Sequence, residues 1–129
     1  MNFLLDTNII IRHFSGLGKI GAKAKTVIIQ AELNEHNLIV SVISLMEIMY
    51  LAEKKRIPVS LKETIEVLKS KSCYTIIELN TEIIIEAQNV SFYELHDRLL
   101  LATAKYLNIP ILSSEKKFKE VKGITVVWS

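Results

Sequence analysis

The chain has 129 residues, half of them hydrophobic and 23% charged, which fits one domain with a packed core and excludes a disordered chain. Its single cysteine, Cys73, excludes an internal disulfide framework, and four glycines and two prolines exclude collagen-like and low-complexity classes. A net charge of +2 permits a nucleic-acid partner without requiring one.

Phe3-Leu4-Leu5 reads as a short buried strand. This apolar run ends in an acid and is shorter than the ~7–15 residues of a signal peptide. No apolar stretch approaches the ~20 residues of a membrane helix. The expectation is a cytoplasmic protein without a membrane partner, whose thiol stays reduced. Asp6-Thr7-Asn8 supplies cap residues, so a helix starts there, and Ser15-Gly16 breaks it. Residues 20–33 have helical periodicity. Leu38-Ile39-Val40 reads as a second strand. Residues 42–56 read as a helix ending in Lys54-Lys55-Arg56, where cations suit the helix dipole, and Pro58 closes it. Ser60 and Glu63 have the spacing of a capping box, opening a helix to about Lys69. Tyr74–Ile77 is a third strand. Thr81 caps a helix through Ala87, and Tyr93 to Leu107 is another, stopped by Asn108 and Pro110. Ile111-Leu112 and residues 125–128 are the fourth and fifth strands, with Glu115 to Lys122 between them.

Short apolar strands alternating with helices indicate a single α/β domain over residues 1–129. Its five-stranded sheet is mainly parallel and covered by helices on both faces. Ligands in such folds bind beyond the carboxyl ends of the strands, where the strand order reverses.

The acids are distributed unevenly. There are twelve glutamates but only two aspartates, Asp6 and Asp97. Asp6 ends the first strand, where it serves either as a helix cap or as a site residue. Asp97 lies near the start of a helix among Leu99, Leu100, Leu101 and Ala102. Those neighbours make a purely dipolar role less favourable. Glu47 sits in VISLMEIMYLA, where only it and Ser44 are strongly polar. A glutamate buried there must be paired with a cation, protonated or bound to metal. Glu115 follows the fourth strand and, alone, reads as a loop acid beside Lys116 and Lys117. Asp6, Glu47, Asp97 and Glu115 can converge on one sheet edge. Converging carboxylates repel, and a hard divalent cation such as Mg²⁺ or Mn²⁺ relieves that repulsion. Such an ion generates hydroxide and clamps phosphate oxygens, so the chemistry inferred is phosphodiester hydrolysis.

The net charge of +2 includes these four acids, so the rest of the chain is more positive by four. Lys54, Lys55 and Arg56, and Lys116 and Lys117, read singly as solvated faces. Around an acidic pit they suit a phosphate backbone. The aromatics show no interleaved stacking ladder. His13, His36 and Cys73 read as structural. His96 reads as a capping or packing residue rather than a general base.

The segments carrying these acids resemble those of PIN-domain nucleases, and within them the VapC-like toxins of toxin–antitoxin pairs. LLDTNIII (residues 4–11) resembles the family's opening strand-Asp-x-Asn. VISLMEIMYLAEKKRIP (42–58) resembles the helix bearing the second acid. ELHDRLLLATAKYLNIPILSSEKKF (94–118) resembles the third-acid helix and the strand-Thr/Ser-x-Asp-x-x-Phe end. The resemblance implies a three-layer α/β/α PIN-like domain. It implies catalytic Asp6, Glu47, Asp97 and Glu115, with Asn8 and Ser113 supporting. Asp6 and Asp97 would ligate the metal, and Glu47 and Glu115 would do so directly or through water. It further implies an RNA substrate, a Mg²⁺ or Mn²⁺ cofactor, a homodimer and an antitoxin partner that presents an arginine to the carboxylates. The chain departs from the family in two places. Glu115 stands where Asp is usual, and Lys117 where another acid is common. Those departures motivate a competing reading, a catalytically degenerate PIN domain that binds RNA or protein. A receiver-type phosphotransfer domain or an aspartyl phosphatase fits poorly, because Asn8 stands where a second acid would follow Asp6.

Overall fold

The computed structural model describes all 129 residues, Met1–Ser129. Five strands form one sheet: β1 (Asn2–Leu5), β2 (Asn37–Ser41), β3 (Tyr74–Ile77), β4 (Ile111–Leu112) and β5 (Val126–Val127). Their order is β3-β2-β1-β4-β5, and every neighbouring pair is parallel. The six helices are α1 (Thr7–Ser15), α2 (Ala22–Glu32), α3 (Val42–Glu53), α4 (Leu61–Ser70), α5 (Thr81–Ala87) and α6 (Leu95–Leu107).

The period of two along each strand divides the core. Phe3 and Leu5 of β1, Leu38 and Val40 of β2 and Leu112 of β4 join one cluster, with Ile9, Ile10, Ala24, Ile28 and Leu68 from α1, α2 and α4. Leu4, Ile39 and Ile111 face the other way, onto Ile83 and Ala87 of α5 and Leu100, Leu101 and Ala104 of α6. Helix α3 reaches both clusters, with Ile48 in the first and Ile43 in the second. The sheet is thus the middle of three layers. Leu4 is fully buried at the centre of the second cluster. Leu4→Ala should cost about 2–5 kcal/mol, the range for emptying a buried leucine site, read as a lower midpoint in urea unfolding.

Chain reversal occurs around β1. The connection from β1 to β2 runs through α1 and α2 on one face, and that from β3 to β4 through α5 and α6 on the other. The switch point therefore lies between the carboxyl ends of β1 and β4.

Several boundaries differ from the sequence expectation. Helix α3 ends at Glu53, so Lys54, Lys55 and Arg56 lie beyond the last turn rather than in it. Lys55 adopts the left-handed conformation (φ 55°). Its N–H bonds to the Ala52 carbonyl and that of Arg56 to the Leu51 carbonyl. This is a Schellman ending with lysine where glycine is usual, which composition does not reveal. Asn80, not Thr81, caps α5, accepting the Ile83 N–H at 2.9 Å. Helix α6 starts at Leu95, two residues later than expected, because the Glu94 carboxylate takes the cap position. The link between β4 and β5 contains a 3-10 turn, Lys116–Glu120.

Candidate active site

The site is built on the switch point. Asp6 leaves β1 in an extended conformation and caps α1. One carboxylate oxygen accepts the Thr7 N–H at 2.8 Å. The other accepts the Ser113 hydroxyl at 2.7 Å, directly across from β4. Ser113 in turn accepts the Glu115 N–H at 3.0 Å, so one hydroxyl ties the first acid to the segment bearing the last. Asp6 is 6% exposed. Burial raises its pKa above the usual carboxylate range, and Glu115 adds to this, against the hydrogen bonds from Ser113 and Thr7 and the Arg12 charge.

Glu47 approaches from α3. Its Oε1 lies 2.7 Å from the Thr7 hydroxyl, which is also 2.8 Å from the Ser44 hydroxyl. A hydroxyl has one proton, and the carboxylate is the stronger acceptor, so Thr7 donates to Glu47 and Ser44 donates to Thr7. None of the ion pairs involves Glu47, so the cation pairing considered for it is not made. Its pKa is raised, by burial first and then by Asp6 and Glu94, against the Thr7 bond and His96.

Asp97 occupies the first turn of α6, half-buried. Its N–H donates to Glu94 Oε2 at 2.7 Å. Burial, then the fields of Asp6, Glu94, Glu47 and Glu115, push its carboxyl up to about 7. Glu94 goes the other way. Burial opposes its charge, but hydrogen bonds from Asp97 and His96 outweigh that and lower its pKa. Glu115 is exposed and caps the 3-10 turn through the Lys117 N–H at 3.1 Å.

Two contributors escape sequence reading. Thr7 looks like a helix-start residue, yet it links Asp6 to Glu47. Glu94 reads as an ordinary glutamate of the expected Tyr93–Leu107 helix, one among twelve, yet it fixes the turn that presents Asp97. Ser44, the other strongly polar residue of VISLMEIMYLA, lies three residues before Glu47 and so shares its helix face. Asn8 stands apart, exposed on the first turn of α1 while Asp6 itself is the cap. His96 Nδ1 lies 3.0 Å from Glu94 Oε1 as part of the cap. Lys54 lies over the Tyr50 ring, displaced from Glu47 along the α3 axis by about 10 Å.

The PIN-domain family model matches residues 3–124. The chain belongs to the PIN-domain family. No curated protein sequence matches it. Among solved structures this PIN domain is similar to a chain of VapBC2 from Rickettsia felis bound to a promoter DNA fragment, with 16% identity, full coverage of both chains and a TM-score of 0.77. It is similar to a chain of DNA-bound VapBC from Salmonella typhimurium, with 19% identity over 98% of this chain and 97% of that one and a TM-score of 0.71. A toxin–antitoxin complex from Klebsiella pneumoniae gives 27% identity over 96% and 94%, with a TM-score of 0.64.

The donor set of this PIN domain suits a hard cation, since carboxylate and hydroxyl oxygens are all it offers. No three of its acids stand close enough together to ligate one ion through all of their carboxylates.

Proposed function

We propose that this PIN domain is a metal-dependent endoribonuclease and the toxin of a toxin–antitoxin pair. The observation that carries the reading is the convergence at the switch point. Asp6, Glu47 and Glu115 are tied together through Thr7 and Ser113, and Asp97 sits within the field of all three. Asp6 and Asp97 would hold Mg²⁺ or Mn²⁺, with Glu47 and Glu115 acting directly or through bound water. When bound, the ion supplies a hydroxide at neutral pH and neutralises charge on the phosphate. The chain's own part is to hold the geometry. Ser113 and Thr7 fix the carboxylates of Asp6 and Glu47, and the Glu94 cap fixes the turn of Asp97.

Similarity to the Klebsiella pneumoniae toxin–antitoxin complex, and to the two DNA-bound VapBC structures, supports an antitoxin partner. A guanidinium from such a partner would match this carboxylate cluster and block it. Ile84 and Ile85 of α5 and Tyr106 of α6 are large, exposed apolar side chains and support a homodimer through that face. No helix is long and apolar enough to cross a membrane, and Cys73 is a free buried thiol. Both agree with a cytoplasmic site of action.

The deciding experiment is incubation of mixed transfer and ribosomal RNA with Mn²⁺, Mg²⁺ or EDTA. Discrete products are expected with metal only. An absence of products together with an unchanged melting temperature on adding metal would instead favour the degenerate, non-catalytic domain, for which Glu115 and Lys117 are the motive. The basic residues Lys54, Lys55, Arg56, Lys116 and Lys117 would meet the backbone. Lys54→Glu with Lys55→Glu should weaken RNA binding and flatten its salt dependence, by about 0.7 in log–log slope for each phosphate no longer neutralised. An unchanged slope would remove those lysines from the interface.

A further inference from the structure

Beside the acids lies an open groove of about 1020 Å³, between the segment joining α5 to α6 and the 3-10 turn. It is at the upper end of the about 300–1,000 Å³ usual for ligand clefts. Its lining includes Phe92, Tyr93, Arg98, Lys117 and Lys122, with Glu120 the one acid. Tyr93 is 80% exposed, more than any other large hydrophobic side chain of the protein. It is nevertheless not loose. Its ring stacks on Phe92 at 5.1 Å with 21° between planes, and Phe92 stands edge-on to the fully buried Phe118 at 5.3 Å. The core thus holds up a flat aromatic platform in solvent. The Lys117 ammonium lies 5.2 Å from the Tyr93 ring centre. The groove adjoins the acids at both walls. Tyr93 precedes Glu94, which caps Asp97, and the Lys117 N–H binds Glu115.

We propose that this groove is the RNA-strand subsite beside the cleaved bond, with a base stacked on Tyr93 and Lys117 and Lys122 meeting the backbone. The assignment rests on the ribonuclease reading. Charge favours RNA over a protein segment. A peptide drawn to the carboxylates would be cationic, and Arg98, Lys117 and Lys122 repel it. A polyanion carrying flat rings satisfies both the cations and the platform. Arg98 also positions the wall, since its Nε donates to the Ala87 carbonyl at 2.8 Å.

The test is fluorescence anisotropy of a labelled single-stranded RNA with Mg²⁺, in an Asp6→Asn background that does not cleave. Tyr93→Ala should weaken binding about 5- to 150-fold, the range for removing one base–aromatic stack, while Tyr93→Phe keeps it. Lys117→Ala with Lys122→Ala should lower the salt slope by about 0.7 for each phosphate released. The exposed position of Tyr93 leaves the fold intact, checked by melting temperature. RNA affinity unchanged by Tyr93→Ala overturns the subsite, as does an absence of RNA binding. Polyglutamate binding that is tighter than RNA binding and depends on Tyr93 also overturns it, by reassigning the groove to an acidic protein segment. Wild-type cleavage of the RNA pool is read in parallel. Cleavage with an inert Tyr93 leaves the nuclease reading standing without the subsite. Tyr93-dependent binding without cleavage leaves the subsite standing without the nuclease.

Discussion

Asp6→Asn should lower metal-dependent RNA cleavage by at least about 10²–10³-fold, the loss typical of removing one charge-stabilising group, and leave the domain folded. The fold survives because asparagine caps a helix as well as aspartate does. Its carbonyl can keep the Thr7 N–H, and its amide can donate to the Ser113 oxygen, which rotates its own proton away. The charge is what disappears, and burial already disfavours that charge. Melting temperature without metal should therefore stay equal or rise, and the gain in melting temperature on adding Mn²⁺ should shrink. Purified in parallel, the variant also exposes any contaminating ribonuclease. Cleavage at the wild-type rate would remove Asp6 from the catalytic centre.

Asp97 gives the second large effect, in pH. Its folded pKa of about 7 lies above the ordinary 3.8, so the folded protein holds this proton more tightly than the unfolded chain does. The stability this confers is full below about 3.8 and is lost as pH rises through about 7. Glu47 and Asp6 act in the same direction. His13 opposes them, because burial lowers its pKa from 6.5 and stability rises as the unfolded histidine deprotonates. Metal-free protein should accordingly show a melting temperature that falls as pH rises from about 4 to about 7 and levels off above that, with His13 offsetting part of the fall below about 6.5. Asp97→Asn should flatten that decline and melt higher than wild type at about pH 8. Metal binding requires the carboxylate, so Mn²⁺ affinity should rise over the same range, with proton release measurable by calorimetry in two buffers. A decline of equal steepness in Asp97→Asn would assign the effect elsewhere.

Both effects depend on residues the sequence exposes to different degrees. Asp6 was legible because a strand of three apolar residues ends on it. Glu47 was legible because a glutamate inside VISLMEIMYLA has no inexpensive place to go. The parallel sheet followed from short apolar runs spaced by helices. What stayed hidden depends on contacts between distant positions. The Thr7–Glu47 bond spans 40 residues and the Ser113–Asp6 bond 107. Neither leaves a local periodic signal. Glu94 and Asn80 were hidden differently, since a cap is decided by one backbone dihedral rather than by composition. The Phe92–Tyr93 platform was hidden because a stack of neighbouring rings depends on the turn that bends them together. Lys55 in a left-handed conformation breaks the usual glycine rule, so the periodic pattern places the end of α3 three residues late.

The Ser113 hydroxyl on the Asp6 carboxylate also sets a timetable. Strand β1 is made first but occupies the middle of the sheet, and its second neighbour, β4, is made more than a hundred residues later. Before residues 111–115 are made, β1 lacks its second neighbour, Asp6 lacks its serine, and Glu115 is not yet present. Chain lengths short of residue 115 therefore hold at most Asp6, Glu47 and Asp97 of the four acids.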